Sequence, residues 1–291
     1  MNAKEPAGVR LGRRQFMAGG AALLGGLVSA QSSMEKPARP AHHPVWCWAL
    51  DPDFIQGRAG VMGVPPDNFC PAVELVDYFH CRNVAYFTWK DHPHPAESLQ
   101  PLAKYDRVVA NVSHRSEAGR AQATELSQLS RQFPNLVGGI VDDFSTAIEK
   151  GRGTVPQVQE LRANLQSVNP SLKLFGVCYT MHFSVDLSAY MPYFDVIVLW
   201  VWHAADLKDL DAHVTQAARL YRKPLHLGLY LFDYADTRKT LPMETIRFEC
   251  QRARQYLRDG RIEAIHILSS YTREEMNTNQ ARWMANFSLS L

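Results

Sequence analysis

The sequence predicts a (β/α)8 barrel, a closed parallel sheet ringed by helices, behind an N-terminal export segment. Three observations lead there. Eight apolar, strand-like runs recur along the chain with helical patterns between them, the alternation of a parallel sheet with helices outside. The stretch from residue 45 to residue 291 is 247 residues long, close to the roughly 250 typical of such barrels. No G-x-G-x-x-G follows any of the runs, so an open dinucleotide-binding sheet lacks its main sequence support.

Residues 1–30 read as an address. Leu11-Gly12-Arg13-Arg14-Gln15-Phe16-Met17 precedes an uncharged apolar run, Ala18 to Val28, and Val28-Ser29-Ala30 suits a signal peptidase. Paired arginines before a Gly/Ala-rich run resemble a twin-arginine export signal, which implies a periplasmic or secreted protein. The run is too short to span a bilayer, so no stable membrane anchor is expected after signal removal. Residues 31–44, rich in Pro, Ser, Lys and His, read as a linker. The signal carries four of the 31 Lys/Arg and one of the 29 acids, leaving 27 and 28 and a formal net charge of −1. That balance gives no reason to expect nucleic acid or an anionic membrane as partner. The five cysteines form no C-x-x-C pair and read as small core residues.

The strand runs are expected at 45–50, 84–89, 107–113, 136–143, 174–180, 196–202, 225–232 and 262–269. Short helices are expected around 71–80 and 95–104. Ser116 suits the N-cap of a helix through Arg131 with Ala121, Leu126 and Leu129 on its apolar side. Pro156 fits the first turn of a helix carrying Leu161 and Leu165. Leu207, Leu210, Val214, Ala217 and Tyr221 form one amphipathic stripe. Thr240 and Pro242 open the next helix, with Ile246, Cys250, Ala253 and Leu257 inward and Gly260 at its end. Thr272 with Glu275 forms a capping-box pattern ahead of Met276, Trp283, Met284 and Phe287.

In a barrel the chemistry belongs at the C-terminal ends of the strands. Those ends carry Trp48 and Asp51, Trp89 and Asp91, His114, then Asp142 and Asp143. The second half adds Tyr179 and His182, Trp200, Trp202 and His203, Tyr230 and Asp233, and Ser269, Ser270 and Tyr271. Four of the six tryptophans fall on this rim. Aromatic faces beside carboxylates suit a sugar, whose C–H face packs on an indole while its hydroxyls bond to acids. A carbohydrate is therefore the expected ligand. Trp48, Trp89, Trp200 and Tyr230 would supply stacking and shape, and Asp51, Tyr179 and Trp202 would line the mouth. His114 and His203 are candidates for hydroxyl binding.

Strand phase separates the two adjacent acids, because neighbouring side chains point to opposite faces. Gly139, Val141 and Asp143 share one face, Ile140 and Phe144 the other. Small Gly139 fits a crowded lumen, which makes Asp143 the expected pore carboxylate and Asp142 its support or a loop-bonding group. The run Gly139-Ile140-Val141-Asp142-Asp143-Phe144 resembles the fourth-strand acid motif of barrel glycoside hydrolases. Asp143 and Phe144 match the Asp and aromatic of the chitinase-type pattern, but Ser145 stands where that pattern has its catalytic Glu. No strand end carries a Glu; Glu149 is nearest, in the following loop. The reading is thus an aspartate pairing of Asp143 with Asp233 first, or with Asp51 or Asp91. A separation of about 5 Å would give retention and roughly 6.5–9.5 Å inversion.

Two other readings stay open. A barrel lacking a second carboxylate would bind glycans without cleaving them. A metal-dependent hydrolase would use the H-x-H of Asp91-His92-Pro93-His94, with His114, His182, His203 and His266 as further ligands. The amidohydrolase pattern places its H-x-H after strand one, and Pro93 and Pro95 mark a rigid loop here. No metal or cofactor is expected, and the oligomeric state is left open.

Overall fold

The computed structural model of the chain describes residues 43–52, 54–57, 65–88 and 95–291. The leader at 1–30, most of the linker, and Trp89, Asp91, His92 and His94 lie outside the described residues. Eight strands are present: β1 (Val45–Leu50), β2 (Asn83–Phe87), β3 (Arg107–Asn111), β4 (Leu136–Val141), β5 (Lys173–Tyr179), β6 (Val196–Trp200), β7 (Leu225–Tyr230) and β8 (Ala264–Leu268). They pair in chain order, all parallel, and β1 closes on β8 with Trp46 opposite His266. The predicted (β/α)8 barrel is the observed fold. Seven of the eight runs nevertheless extend one or two residues beyond the strand end. Beyond the ladder some of these side chains line the mouth, as Trp202 does, and others pack into the core, as Val112 and Leu231 do.

The helices are α1 (Ala72–Tyr78), α2 (Ala96–Leu99), α3 (Glu117–Leu129), α4 (Phe144–Glu149), α5 (Val155–Leu165), α6 (Leu210–Tyr221), α7 (Met243–Arg258), α8 (Arg273–Met276) and α9 (Asn279–Leu289). Their starts carry the expected chemistry. Ser116 Oγ accepts the Gly119 N–H at 2.9 Å, and Thr154 with Gln157 forms a capping box ahead of Pro156. The helix expected after Thr272 is two helices, because Thr278 supplies a second N-cap. α5 buries Val158, Leu161 and Leu165 completely against the sheet. Each such side chain is worth about 1.5–3 kcal/mol relative to exposure. Among the described residues no helix is long and apolar enough to cross a membrane. All five cysteines are buried and free.

The phase of β4 is the reverse of the expected one. A Cβ on Gly139 would lie 2.9 Å from Val112 Cγ2 and 3.4 Å from Leu165 Cδ1, so Gly139 faces the helix layer. Ile140 pairs instead with Phe175, whose ring packs on Trp46 and His226 inside the lumen at 5.9 and 5.6 Å. The small residue serves close helix-to-strand packing, not a crowded pore. By alternation, Asp142 continues the lumen face.

Candidate active site

The site is built where β4 turns into α4. Val141 ends the strand, and Asp143 takes a left-handed backbone (φ 51°, ψ 31°) as the N-cap of α4. Asp tolerates this region better than most residues. The turn folds the backbone back, so the Asp143 N–H donates to Asp142 Oδ1 at 2.9 Å. It also cancels strand alternation: Asp142 arrives in phase, Asp143 by the turn, and both line one cavity of about 150 Å3 at the mouth. The expectation that only Asp143 could reach the pore is corrected accordingly. Across the cavity floor, the Tyr179 hydroxyl donates to Asp143 Oδ1 at 2.7 Å.

Aromatic residues make the walls. Trp48 from β1, Phe87 from β2, Tyr179 from β5, Trp202 after β6 and Tyr230 from β7 line the cavity, joined by the loop residues Tyr234 and Tyr271. Trp48 stacks on Phe87 with centroids 4.3 Å apart, and Trp202 meets Tyr179 edge-on at 5.5 Å. Trp200 lies one layer down, fully buried, edge-on to Trp48 at 5.1 Å and 4.6 Å from Tyr230. It is floor, not wall. Burial first, then the neighbouring phenols and the two carboxylates, pushes the Tyr179 and Tyr230 hydroxyls well above the ordinary tyrosine range. Both therefore remain protonated donors.

Trp48 is held from below. Its Nε1–H donates to His266 Nδ1 at 2.9 Å, and His266 Nε2 lies 2.9 Å from His226 Nδ1. The indole has only a donor to offer, so His266 Nδ1 is the acceptor and its proton sits on Nε2, facing His226. Burial lowers the pKa of both rings, that of His226 to about 3 with help from Arg107 and Lys173. The pair is a neutral hydrogen-bonded column through the barrel.

Several expected site residues sit elsewhere. Asp233 does not face the acid pair. Its carboxylate accepts the amides of Ala235, Asp236 and Thr237 and the Thr237 hydroxyl, at 2.8–3.1 Å. Burial would raise its pKa, but these donors, Asp236 and Thr237 foremost, hold it below the usual range. Asp233 pins the loop after β7. Asp51 is buried, with its Oδ2 accepting the Tyr86 hydroxyl at 2.7 Å on the outer side of β2. His114 is 0% exposed, edge-on to Phe144 and roofed by Gly153; its ring nitrogens meet no side-chain hydrogen-bond partner among the described residues, only the nearby Arg152 backbone. Burial, with the nearby Arg115 charge, lowers its pKa to about 4. His203 lies on the rim with Nδ1 3.2 Å from Asp236 Oδ2. Trp89 falls outside the described residues.

Other features went unread in the sequence. Tyr234 reaches the cavity from the loop after β7; Tyr271, read at the end of the eighth run, does so from a left-handed backbone (φ 67°). Behind Tyr179, Ser145 Oγ accepts the Tyr179 N–H at 3.1 Å and lies 3.0 Å from His182 Nδ1, while His182 Nε2 is 3.4 Å from Glu149 Oε2. The pattern Ser145-x3-Glu149, on one face of a helical turn, is the only sequence sign of this cluster. A larger cavity, about 660 Å3, opens on the outer side of β1 and β2 between α1 and Leu102, and neither acid of the pair lines it. Among the described residues no group of three or more His, Cys, Asp or Glu could hold a metal ion. The described lining of the smaller cavity contains two carboxylates and no Lys, Arg or His.

The sequence matches no protein-family model and no curated protein. Solved structures share the barrel. A chitinase from Chromobacterium violaceum superposes with a TM-score of 0.50 at 11% identity, over 86% of this chain and 100% of that one. A family 18 chitinase from Crocus vernus gives 0.48 at 11% identity, over 84% and 98%. A GH128 endo-beta-1,3-glucanase from Amycolatopsis mediterranei gives 0.48 at 14% identity, over 74% and 93%. These glycoside hydrolases are similar to the chain in fold; at such identities the chemistry has to be argued from its own residues.

Proposed function

We propose that the chain is an exported, glycoside hydrolase-like barrel that acts on carbohydrate through the Asp142–Asp143 pair. One observation carries this reading: two adjacent carboxylates enter a single aromatic-walled cavity, and a buried phenol bonds one of them. Indole and phenol faces suit the C–H surface of a sugar ring, and the acids with the Tyr179 and Tyr230 hydroxyls suit its hydroxyl groups. Glycosidic cleavage needs a proton delivered to the leaving oxygen and negative charge beside the developing oxocarbenium centre. The pair can divide those roles, Asp143 being the one oriented by Tyr179. Among the described residues Asp51 and Asp233 are engaged elsewhere, so the attacking group on the far face is taken to be water or a neighbouring group of the substrate itself. Turnover of an oligosaccharide panel tests this. D143N and D142N are each expected to lower kcat by about a hundredfold or more while the purified proteins stay folded.

That one-sided arrangement also supports a second reading, a glycan-binding barrel without turnover. It wins if wild-type protein binds an oligosaccharide of the panel, D143N weakens that binding, and no cleavage product forms. Export is supported by Arg13-Arg14 and the apolar run behind them. Replacing both arginines by lysine is expected to retain the precursor in the cytoplasm, read by fractionation; unimpaired export would remove that part of the proposal.

A further inference from the structure

Ser145 occupies the place where the chitinase-type pattern has its acid, and its surroundings give it a different task. β4 ends at Val141, paired with Gly176, whereas β5 runs on to Tyr179. The last residues of β5 therefore pass beyond the β4 ladder, and the Tyr179 N–H needs another acceptor. Ser145 Oγ, brought over by the left-handed turn at Asp143, accepts it at 3.1 Å. The hydroxyl proton of Ser145 then points to His182 Nδ1 at 3.0 Å. His182 Nε2 faces the Glu149 carboxylate at 3.4 Å, which places the ring proton on Nε2 and leaves Nδ1 as the acceptor. The two Ser145 links are hydrogen bonds, and the His182–Glu149 link is an electrostatic contact at 3.4 Å that orients the ring.

We propose that Glu149, His182 and Ser145 form a positioning relay that fixes Tyr179, and through the Tyr179 hydroxyl the Asp143 carboxylate. The effect on turnover rests on the reading of Asp143 as a reacting group; the relay itself does not. Ser145 is not a nucleophile in this arrangement. Its side chain is 0% exposed, and its oxygen already accepts the Tyr179 amide. His182 is buried as well, so neither group touches a ligand in the cavity. Glu149 is the half-exposed end of the relay and the one from which it can be loosened without cutting into the core.

The test reads Tyr179 directly. In protein carrying 13Cζ-labelled tyrosine, Y179F assigns the Tyr179 resonance and D143N marks its position without the normal carboxylate partner. S145A and H182L are expected to move the resonance most of the way toward the D143N position, and E149Q to move it part of the way. H182N, whose amide oxygen can replace Nδ1 as acceptor, is expected to restore it. Melting temperature is measured alongside, since a purely structural role would lower it without moving the resonance. On any oligosaccharide that wild type cleaves, S145A and H182L are expected to lower kcat by about tenfold to a hundredfold, with KM changed by less than about twofold. A Tyr179 resonance unmoved in both S145A and H182L, or H182N behaving as H182L, overturns the relay. If S145A or H182L fails to fold, E149Q and H182N decide, and an unmoved resonance in E149Q counts against it. Absence of cleavage with the expected shifts sinks the hydrolase reading and leaves the relay standing.

Discussion

Two residues at the cavity hold left-handed backbones, one of them an aspartate that tolerates it and the other a tyrosine that does not. Asp143 and Tyr271 have φ of 51° and 67°, and both line the same space. For a tyrosine this region costs on the order of 1–3 kcal/mol, so surrounding contacts must hold it. They do: the Tyr271 carbonyl accepts the Cys70 N–H at 2.8 Å, and its amide donates to Ser269 Oγ at 3.1 Å. A third position matters through the absence of a side chain. A Cβ on Gly228 would sit 2.0 Å from Trp200 Cδ2, so the β7 backbone forms the bed on which that indole lies. Replacing Gly228 by Ala must displace either the indole or the strand. The expected loss is about 1–3 kcal/mol in urea denaturation. The same change is expected to cost less in a W200L background, where the clash is gone. Equal costs in both backgrounds would show that Trp200 does not impose the glycine.

At the level of elements, strands were readable because each is buried on both faces, by the lumen and by the helix layer, and so appears as a short apolar run. That same burial made their phase unreadable. Gly139 could have meant a crowded pore or a close helix, and Val112 with Leu165 of α5 settles it. Strand ends were overrun for a related reason: Trp202 and Phe232 look like strand continuation but belong to mouth loops. Caps were legible at Ser116 and Thr272 because each acts on an amide three residues on; the Thr154–Gln157 box ahead of Pro156 has the same range but was not read. The αL turn at Asp143 left no comparable mark, and it decides that both acids share the cavity. Asp233 was misread because its strand-end position suggested catalysis, whereas the loop that claims its carboxylate, Ala235 to Thr237, has no pattern apart from the Asp itself. The relay joins residues 33 to 37 positions apart, brought together by the β4–β5 pairing and the turn at Asp143.

The whole barrel carries an electrostatic asymmetry that governs its response to acid. His114, His226 and His266 are buried and held uncharged, with pKa values lowered by burial, to about 4 for His114 and about 3 for His226. An unfolded chain titrates these rings near 6.5, so between that value and the folded ones the unfolded state binds more protons. Stability therefore falls as pH falls, by up to about 1.4 kcal/mol per pH unit for each ring. Glu275 opposes this. Burial raises its pKa to about 7, outweighing the Ser270 donors, so from about pH 7 down to the ordinary carboxylate range it favours the fold as pH falls. Burial raises the Glu249 carboxyl in the same direction, and against these two carboxyls the three rings still leave acid lability as the net direction near pH 5. His114 is the position at which to isolate one ring, since its nitrogens meet no side-chain partner among the described residues and a phenyl ring can keep the edge-on contact with Phe144. In H114F, the slope of unfolding free energy against pH between about 4 and 6.5 is expected to drop by up to about 1.4 kcal/mol per pH unit. Urea denaturation at half-unit intervals reads that slope; the same slope in wild type and H114F would mean that His114 takes up its proton within the folded barrel.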